Sequence, residues 1–401
     1  MTTEKENKST GFLPPLMVLL FAVAAGLSVA NVYYAQPMLQ LMTEEFGIPK
    51  GSAGMIVTIT QIGYGIGLLL IVPLGDVLNR RKLISGQMLL SVVALMLIGF
   101  AQHQLVFFTG MMLLGLLAVV TQVLVAYSAN LAGPSERGRV VGLVTSGIVI
   151  GILLARTISG TMADLAGWRS VYFLSAVLTL ILAGTLFKVL PAEDQNRTFT
   201  SYPKLLLSMF RLFITERMLL VRSLIAMFLF AAFSTLWTAL VFPLSAAPFF
   251  LSSTEVGLFG LVGVLGTLGA TKAGQLADRG LAQWTTGVAL SLLLLSWLAI
   301  AFVGSSLWLL ILGIIILDLA VQAVHVTNQS IIYTLQPEAK SRIVAGYMIF
   351  YSIGSGIGSI TATKLFAIAG WTGVCIIGAA FSALAIFFWA LTLRYSSKLR
   401  P

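Results

Sequence analysis

Apolar runs near 20 residues long recur along the whole chain, and this feature settles the fold class before any motif is read. About 20 residues of α-helix rise about 30 Å, the hydrocarbon thickness of a bilayer. A chain that is 58% hydrophobic and 9% charged cannot clothe such runs in a polar surface; soluble chains carry about 25% charged residues. The sequence reads as an all-α membrane protein with twelve spans, at roughly 14–41, 53–74, 83–102, 105–130, 140–162, 170–190, 219–248, 256–276, 284–303, 307–333, 343–366 and 372–393. Joints at Gly51-Ser52, Pro134-Ser135, Gly167-Trp168, Gly304-Ser305, Pro337-Glu338 and Gly370-Trp371 separate them. The first run contains Asn31, Tyr33, Tyr34 and Gln36 and shows no clear small-residue cleavage site, so it reads as a retained span.

Charge sets the orientation. An even number of crossings puts both termini on one side, and 20 of the 24 Lys and Arg residues fall there. Lys50, Arg169 and Lys364 lie near the opposite ends, and Arg156 lies within a span. The positive-inside rule makes both termini cytoplasmic, in the inner membrane of a bacterium. The net charge of +10 is scattered at span ends and forms no nucleic-acid patch. The longest hydrophilic stretch, 191–217, is expected to be a cytoplasmic linker between bundles at 1–190 and 218–401, partly an amphipathic surface helix around 204–214.

The halves also repeat. Pro134, Arg139, Gly167 and Trp168 return as Pro337, Arg342, Gly370 and Trp371, each 203 residues later, and Asp76 returns as Asp278. Duplicated six-span bundles that rock about a midplane site are a transporter architecture.

These residues resemble the major facilitator superfamily, and within it the twelve-span drug:proton antiporters. The family signature between spans 2 and 3, G-x-x-x-D-R-x-G-R-R, is matched by Asp76 with Arg80, Arg81 and Lys82, while Val72, Val77 and Asn79 replace its other positions. A shorter echo runs from Gly274 to Gly280 and holds Asp278 and Arg279. In span 5, Gly142, Gly151 and Ser159-Gly160 follow the exporters' glycine pattern, with Ala155-Arg156 in place of its Gly-Pro step. Met111 stands where span 4 of the family carries arginine. The resemblance implies two six-helix bundles related by a pseudo-two-fold axis, with spans 1, 4, 7 and 10 around a central cavity. At the cytoplasmic ends Asp76, Arg80, Arg81, Asp278 and Arg279 would act as a conformational latch; for the basic residues, anchoring of topology is the plain alternative.

Of the 14 acidic residues, Asp318 alone lies well inside a span, where an aspartate costs about 2.5–3.5 kcal/mol to insert. Asp318, Gln322, His325 and Gln329 step by four, three and four along one helix face, which should look into protein or a watery cavity. Asp318 and His325 are the candidates for proton coupling, each able to load a proton on one side and release it on the other. For Arg156, three roles stand open: an ion pair with Asp318, a contact to an anionic substrate, or a bond to neighbouring helices. Asn31, Tyr34, Gln61, Gln122, Arg156, Trp237, Gln322 and Gln329 are the candidate substrate cavity.

A single cysteine, Cys375, and two histidines leave no disulfide framework and no metal set, and no phosphate loop, zinc-protease or serine-hydrolase signature appears. No cofactor and no enzymatic activity are expected. The sequence predicts a secondary transporter of a small organic solute, working as a monomer by alternating access, with proton-coupled efflux ahead of proton-coupled uptake. A receptor or sensor on the same scaffold ranks below both.

Overall fold

The computed structural model describes residues 13–133, 135–192, 201–336 and 340–396, with backbone alone for 265–271, 278, 340–341 and 394–396. Among these residues all regular structure is helical. The expected joint residues Pro134 and Pro337 lie outside them.

The first bundle is built from α1 (Pro15–Tyr33), the short α2 (Leu39–Phe46), α3 (Gly54–Leu70), α4 (Arg80–Gly99), α5 (Gln104–Ala118) with α6 (Val120–Leu131), α7 (Arg137–Ala166) and α8 (Arg169–Val189). The second is built from α10 (Arg217–Ala239) with α11 (Val241–Leu244), α12 (Ser253–Leu276), α13 (Ala282–Ile300), α14 (Leu307–Ile332) and α15 (Lys340–Ser396), which a sharp turn at Gly370 divides into two spans. With that division the helices form the twelve spans read from the sequence, each within a few residues of its expected bounds. Between the bundles lies α9 (Tyr202–Thr215), an amphipathic helix that buries Leu205, Met209 and Leu212 on one face. Its Tyr202 hydroxyl donates to the Leu70 carbonyl at 2.5 Å, and its Ser208 hydroxyl accepts from Arg342 at 2.8 Å. The linker helix therefore touches span 2 of one bundle and span 11 of the other.

Local sequence explains the helix ends. Asn79 caps α4 by accepting from the Lys82 amide at 3.1 Å, and Ser252 with Glu255 forms a capping box at the start of α12. Gly167 and Gly370, the repeated pair, both have positive φ (80° and 59°), a conformation that glycine adopts without a Cβ clash. The repeat extends to packing. A Cβ at Gly110 would meet Ile98 at 2.7 Å, and one at Gly313 would meet Ile300 at 2.6 Å. Gly63 and Gly67 seat α3 against the α5 backbone, and Gly354 and Gly358 seat α15 against α10. Both glycine runs are thus close-approach surfaces between helices.

The bundles meet at the end remote from both termini. There α3 lies along α15: the Thr58 hydroxyl donates to the Gly356 carbonyl at 2.8 Å, Thr363 donates to the Gly51 carbonyl at 3.1 Å, and Ser352 donates to the Gln61 carbonyl. On the opposite side α7 lies along α12, and the Asp164 carboxylate accepts the Ser253 and Thr254 amides at 3.2 and 2.7 Å. A carboxylate of one bundle thereby caps the first helical turn of the other. Toward the terminus end of α7, a Cβ at Gly142 or Gly138 would meet open space.

Candidate functional site

Span 1 breaks in mid-course. α1 stops at Tyr33 and the chain continues through a 3-10 turn, Gln36–Met38, before α2 begins. Pro37 has no amide hydrogen to continue the α1 ladder, so the break follows from the sequence. It turns Gln36 toward α7, where the Arg156 Nε donates to Gln36 Oε1 at 2.7 Å. The Arg156 guanidinium lies 4.0 Å from the centre of the Trp237 ring on α10, 5.2 Å from Tyr33 and 5.7 Å from Phe233. The Trp237 Nε1 donates to Asp318 Oδ1 at 3.4 Å. One indole from the second bundle thus touches both a buried cation of the first and a buried carboxylate of the second. Arg156 and Asp318, 3% and 5% exposed, form no ion pair within 4.0 Å. The other Asp318 oxygen faces Gly263 on α12 so closely that a Cβ there would collide with it. Asp318 is enclosed by protein on α10, α12 and α14 and does not face lipid.

Lower on the same face of α14, His325 Nδ1 lies 3.0 Å from the Tyr347 hydroxyl and Nε2 lies 3.2 Å from Gln329 Nε2. The Asn328 amide donates to Tyr347 at 3.5 Å, and the Asn328 Oδ1 accepts from Arg222 on α10 at 3.1 Å. Arg222 also donates to Thr286 at 3.2 Å, is fully buried, and leaves Nε and Nη2 without a partner among the described residues. Phe230 packs edge-on against both His325 and Tyr351, and the Tyr351 hydroxyl is hydrogen-bonded to the Tyr33 hydroxyl across the bundles.

The remaining sequence candidates occupy three kinds of place. Gln122 donates to the Tyr64 hydroxyl at 3.4 Å, Tyr64 packs edge-on to Tyr351 of the second bundle's α15, and Gln61 accepts from Ser352 of the same helix. Gln322 is half-buried on α14 between Asp318 and His325. Asn31 instead accepts from Ser175 at 2.6 Å, and Tyr34 packs edge-on to Tyr172, so both turn toward α8 within the first bundle. Tyr34 also borders an apolar groove of about 650 Å³ between α1 and α7, with Glu136 and Arg139 at its terminus end.

At the terminus end of span 2, Asp76 lies 3.6 Å from Arg80, whose Nε donates to the Gly75 carbonyl at 2.8 Å. The Asn130 carboxamide, oriented with its oxygen inward, accepts from the same guanidinium. Arg81 instead lies 4.3 Å over the Phe187 ring. Arg279 is exposed in the turn at 277–281, and the Asp278 side chain lies outside the described ones. Arg80 therefore binds its own bundle together. Arg80→Ala is expected to lower the stability of the purified protein by about 2–3 kcal/mol, since hydrogen bonds to charged groups are worth about 1.5–3 kcal/mol; thermal unfolding in detergent measures it.

Sequence reasoning did not select Gln36, Tyr33, Tyr347, Tyr351 or Arg222. Pro37 signalled the first. Arg222 sits six residues beyond Glu216 inside an apolar run.

Twelve membrane helices in two like bundles, with opposite charges buried where the bundles meet, define a membrane transporter. The chain belongs to the Major Facilitator Superfamily, whose sequence profile matches residues 20–282 and 251–401. It is 45% identical to "Uncharacterized transporter YgaY" of Escherichia coli O157:H7 over 377 residues, 94% of this chain and 95% of that one. It is 29% identical to "Inner membrane transport protein YnfM" of Escherichia coli K12 over 268 residues, 66% of this chain and 64% of that one. Among solved structures, a bacterial homolog of the human lysosomal transporter Spinster, inward-facing and unoccupied, superposes with a TM-score of 0.77 at 16% identity, covering 96% of this chain and 98% of that one.

Proposed function

We propose that this transporter exports a small organic solute across the bacterial inner membrane in exchange for protons, as a monomer with both termini in the cytoplasm. The observation that carries the reading is Asp318, a carboxylate buried at the meeting of the bundles and hydrogen-bonded to Trp237, the indole on which the permanently charged Arg156 lies. A carboxylate there has two stable forms, charged with the halves arranged one way and neutral with them arranged another. Proton uptake thereby biases which side of the membrane the centre faces. Residues 1–190 and 218–401 act as the two rocking units, with 191–217 as their tether. The Asp76 and Arg80 turn and its echo at Asp278 and Arg279 set the terminus-side ends.

The relative named as an inner membrane transport protein supports the location. The likeness to an inward-facing homolog, together with the open space beside Gly138 and Gly142 on α7, supports a terminus-side opening.

Proteoliposomes with an imposed pH gradient and a panel of radiolabelled solutes test the coupling. The gradient is expected to drive solute movement in the native protein, and Asp318→Asn is expected to reduce it to the level of empty vesicles. Equal gradient-driven movement by the variant removes Asp318 from the coupling role. Accumulation inside on acidifying the exterior replaces export with import.

A further inference from the structure

The centre around Arg156 is asymmetric in its partners. Arg156 Nε is satisfied by Gln36, a neutral acceptor, while Nη2 is buried with no hydrogen-bond partner among the described residues. Asp318 does not fill the gap, because it forms no ion pair with Arg156 within 4.0 Å. A guanidinium presents a planar fork of donors matched to two oxygens of a carboxylate or phosphate, and it keeps its charge throughout. Around it stand the aromatic rings of Tyr33, Phe233 and Trp237.

Space beside Arg156 is small in this conformation, about 10 Å³, bounded by Gln36, Pro37, Arg156, Trp237, Leu240 and Val256. That volume holds about one water. The walls, however, belong to different bundles. Gln36, Pro37 and Arg156 come from the first and stay together, whereas Trp237, Leu240 and Val256 come from the second and withdraw when the bundles part. The site therefore enlarges beside Arg156.

We infer that this centre binds an organic anion, with Arg156 and Gln36 holding an anionic oxygen group and the surrounding aromatic rings accepting an apolar body. The inference rests on the transporter reading and names the substrate class of the same site. It differs from the proton-coupling role of Asp318, which lies on the other bundle.

The test uses the full chain in detergent and four aromatic acids, benzoate, phenylacetate, salicylate and indole-3-acetate, each beside its neutral amide. At least one acid is expected to raise the unfolding midpoint by roughly 2 °C at ten times its dissociation constant, with no shift from the matching amide. Arg156→Gln abolishes the shift and Arg156→Lys retains part of it. Where Arg156→Gln does not fold, Gln36→Leu, which keeps the cation, weakens binding instead.

Equal shifts from acid and amide, a shift that survives Arg156→Gln, or no shift from any of the four acids overturns the inference. Asp318→Asn separates the two readings. If it retains the acid-induced shift and also transports normally under a pH gradient, the coupling role alone falls. If pH-driven transport depends on Asp318 while no acid shifts the midpoint, the anion site alone falls.

Discussion

Gly160→Leu will keep the far ends of the two bundles from closing and will abolish transport without unfolding the protein. A Cβ at Gly160 would strike the carbonyl of Ser253, at the first turn of α12 in the other bundle. The obstacle is backbone, held in place by the Asp164 cap on Ser253 and Thr254, so it cannot swing aside as a flexible side chain would. Overpacking a well-fitted contact costs about 1–3 kcal/mol. Here the molecule has a way to escape that cost, because separating α7 from α12 breaks contacts between bundles and leaves each bundle whole.

Gly115→Leu is the control. A Cβ at Gly115 would strike the Thr60 carbonyl, and α3 and α5 belong to the same bundle, so the strain has no rigid-body release and should lower the folded yield. With the buried Cys375 replaced by serine, Leu240→Cys reports access to the centre. An impermeant maleimide applied from the far side is expected to label position 240 slowly in the native background and rapidly with Gly160→Leu. Unchanged labelling, or unfolding as severe as that of Gly115→Leu, would refute the idea that this contact is a gate between rigid halves.

The contrast also shows what the sequence could and could not tell. Twelve spans and the amphipathic linker helix were readable because a bilayer admits few backbone solutions, so apolar length maps directly onto helix position. The Gly167-Trp168 and Gly370-Trp371 turns were readable as repeats. Periodicity placed Asp318, Gln322, His325 and Gln329 on one face, and the helix keeps them there.

Periodicity does not say which neighbour a face meets. Asn31 looks like a cavity residue in span 1, yet its partner is Ser175 of α8, more than 130 positions away in the chain. Gln36 is the converse case, brought to Arg156 by a helix break whose direction no local pattern encodes. Arg222 is the most instructive. An arginine one to two turns into a span can reach back to the membrane surface or turn inward, and only Thr286 and Asn328 on other helices decide it.

That inward arginine gives the largest expected change in stability. Asn328→Leu removes the oxygen that accepts from Arg222 and leaves a fully buried guanidinium with Thr286 as its one remaining side-chain acceptor among the described residues. Stripping a partner from a buried charge costs about 3–5 kcal/mol, because the charge stays desolvated with nothing to offset it. Adding Arg222→Met to Asn328→Leu removes the stranded charge itself and fills similar volume with an apolar chain, so it should restore much of the loss even though it deletes a second polar residue. The prediction is therefore a change of sign: Arg222→Met stabilises in the Asn328→Leu background. Thermal or denaturant unfolding of the four proteins in one detergent completes the double-mutant cycle. A double variant no more stable than Asn328→Leu alone would mean that Asn328 acts through Tyr347 and His325, its other neighbours, and not by satisfying Arg222.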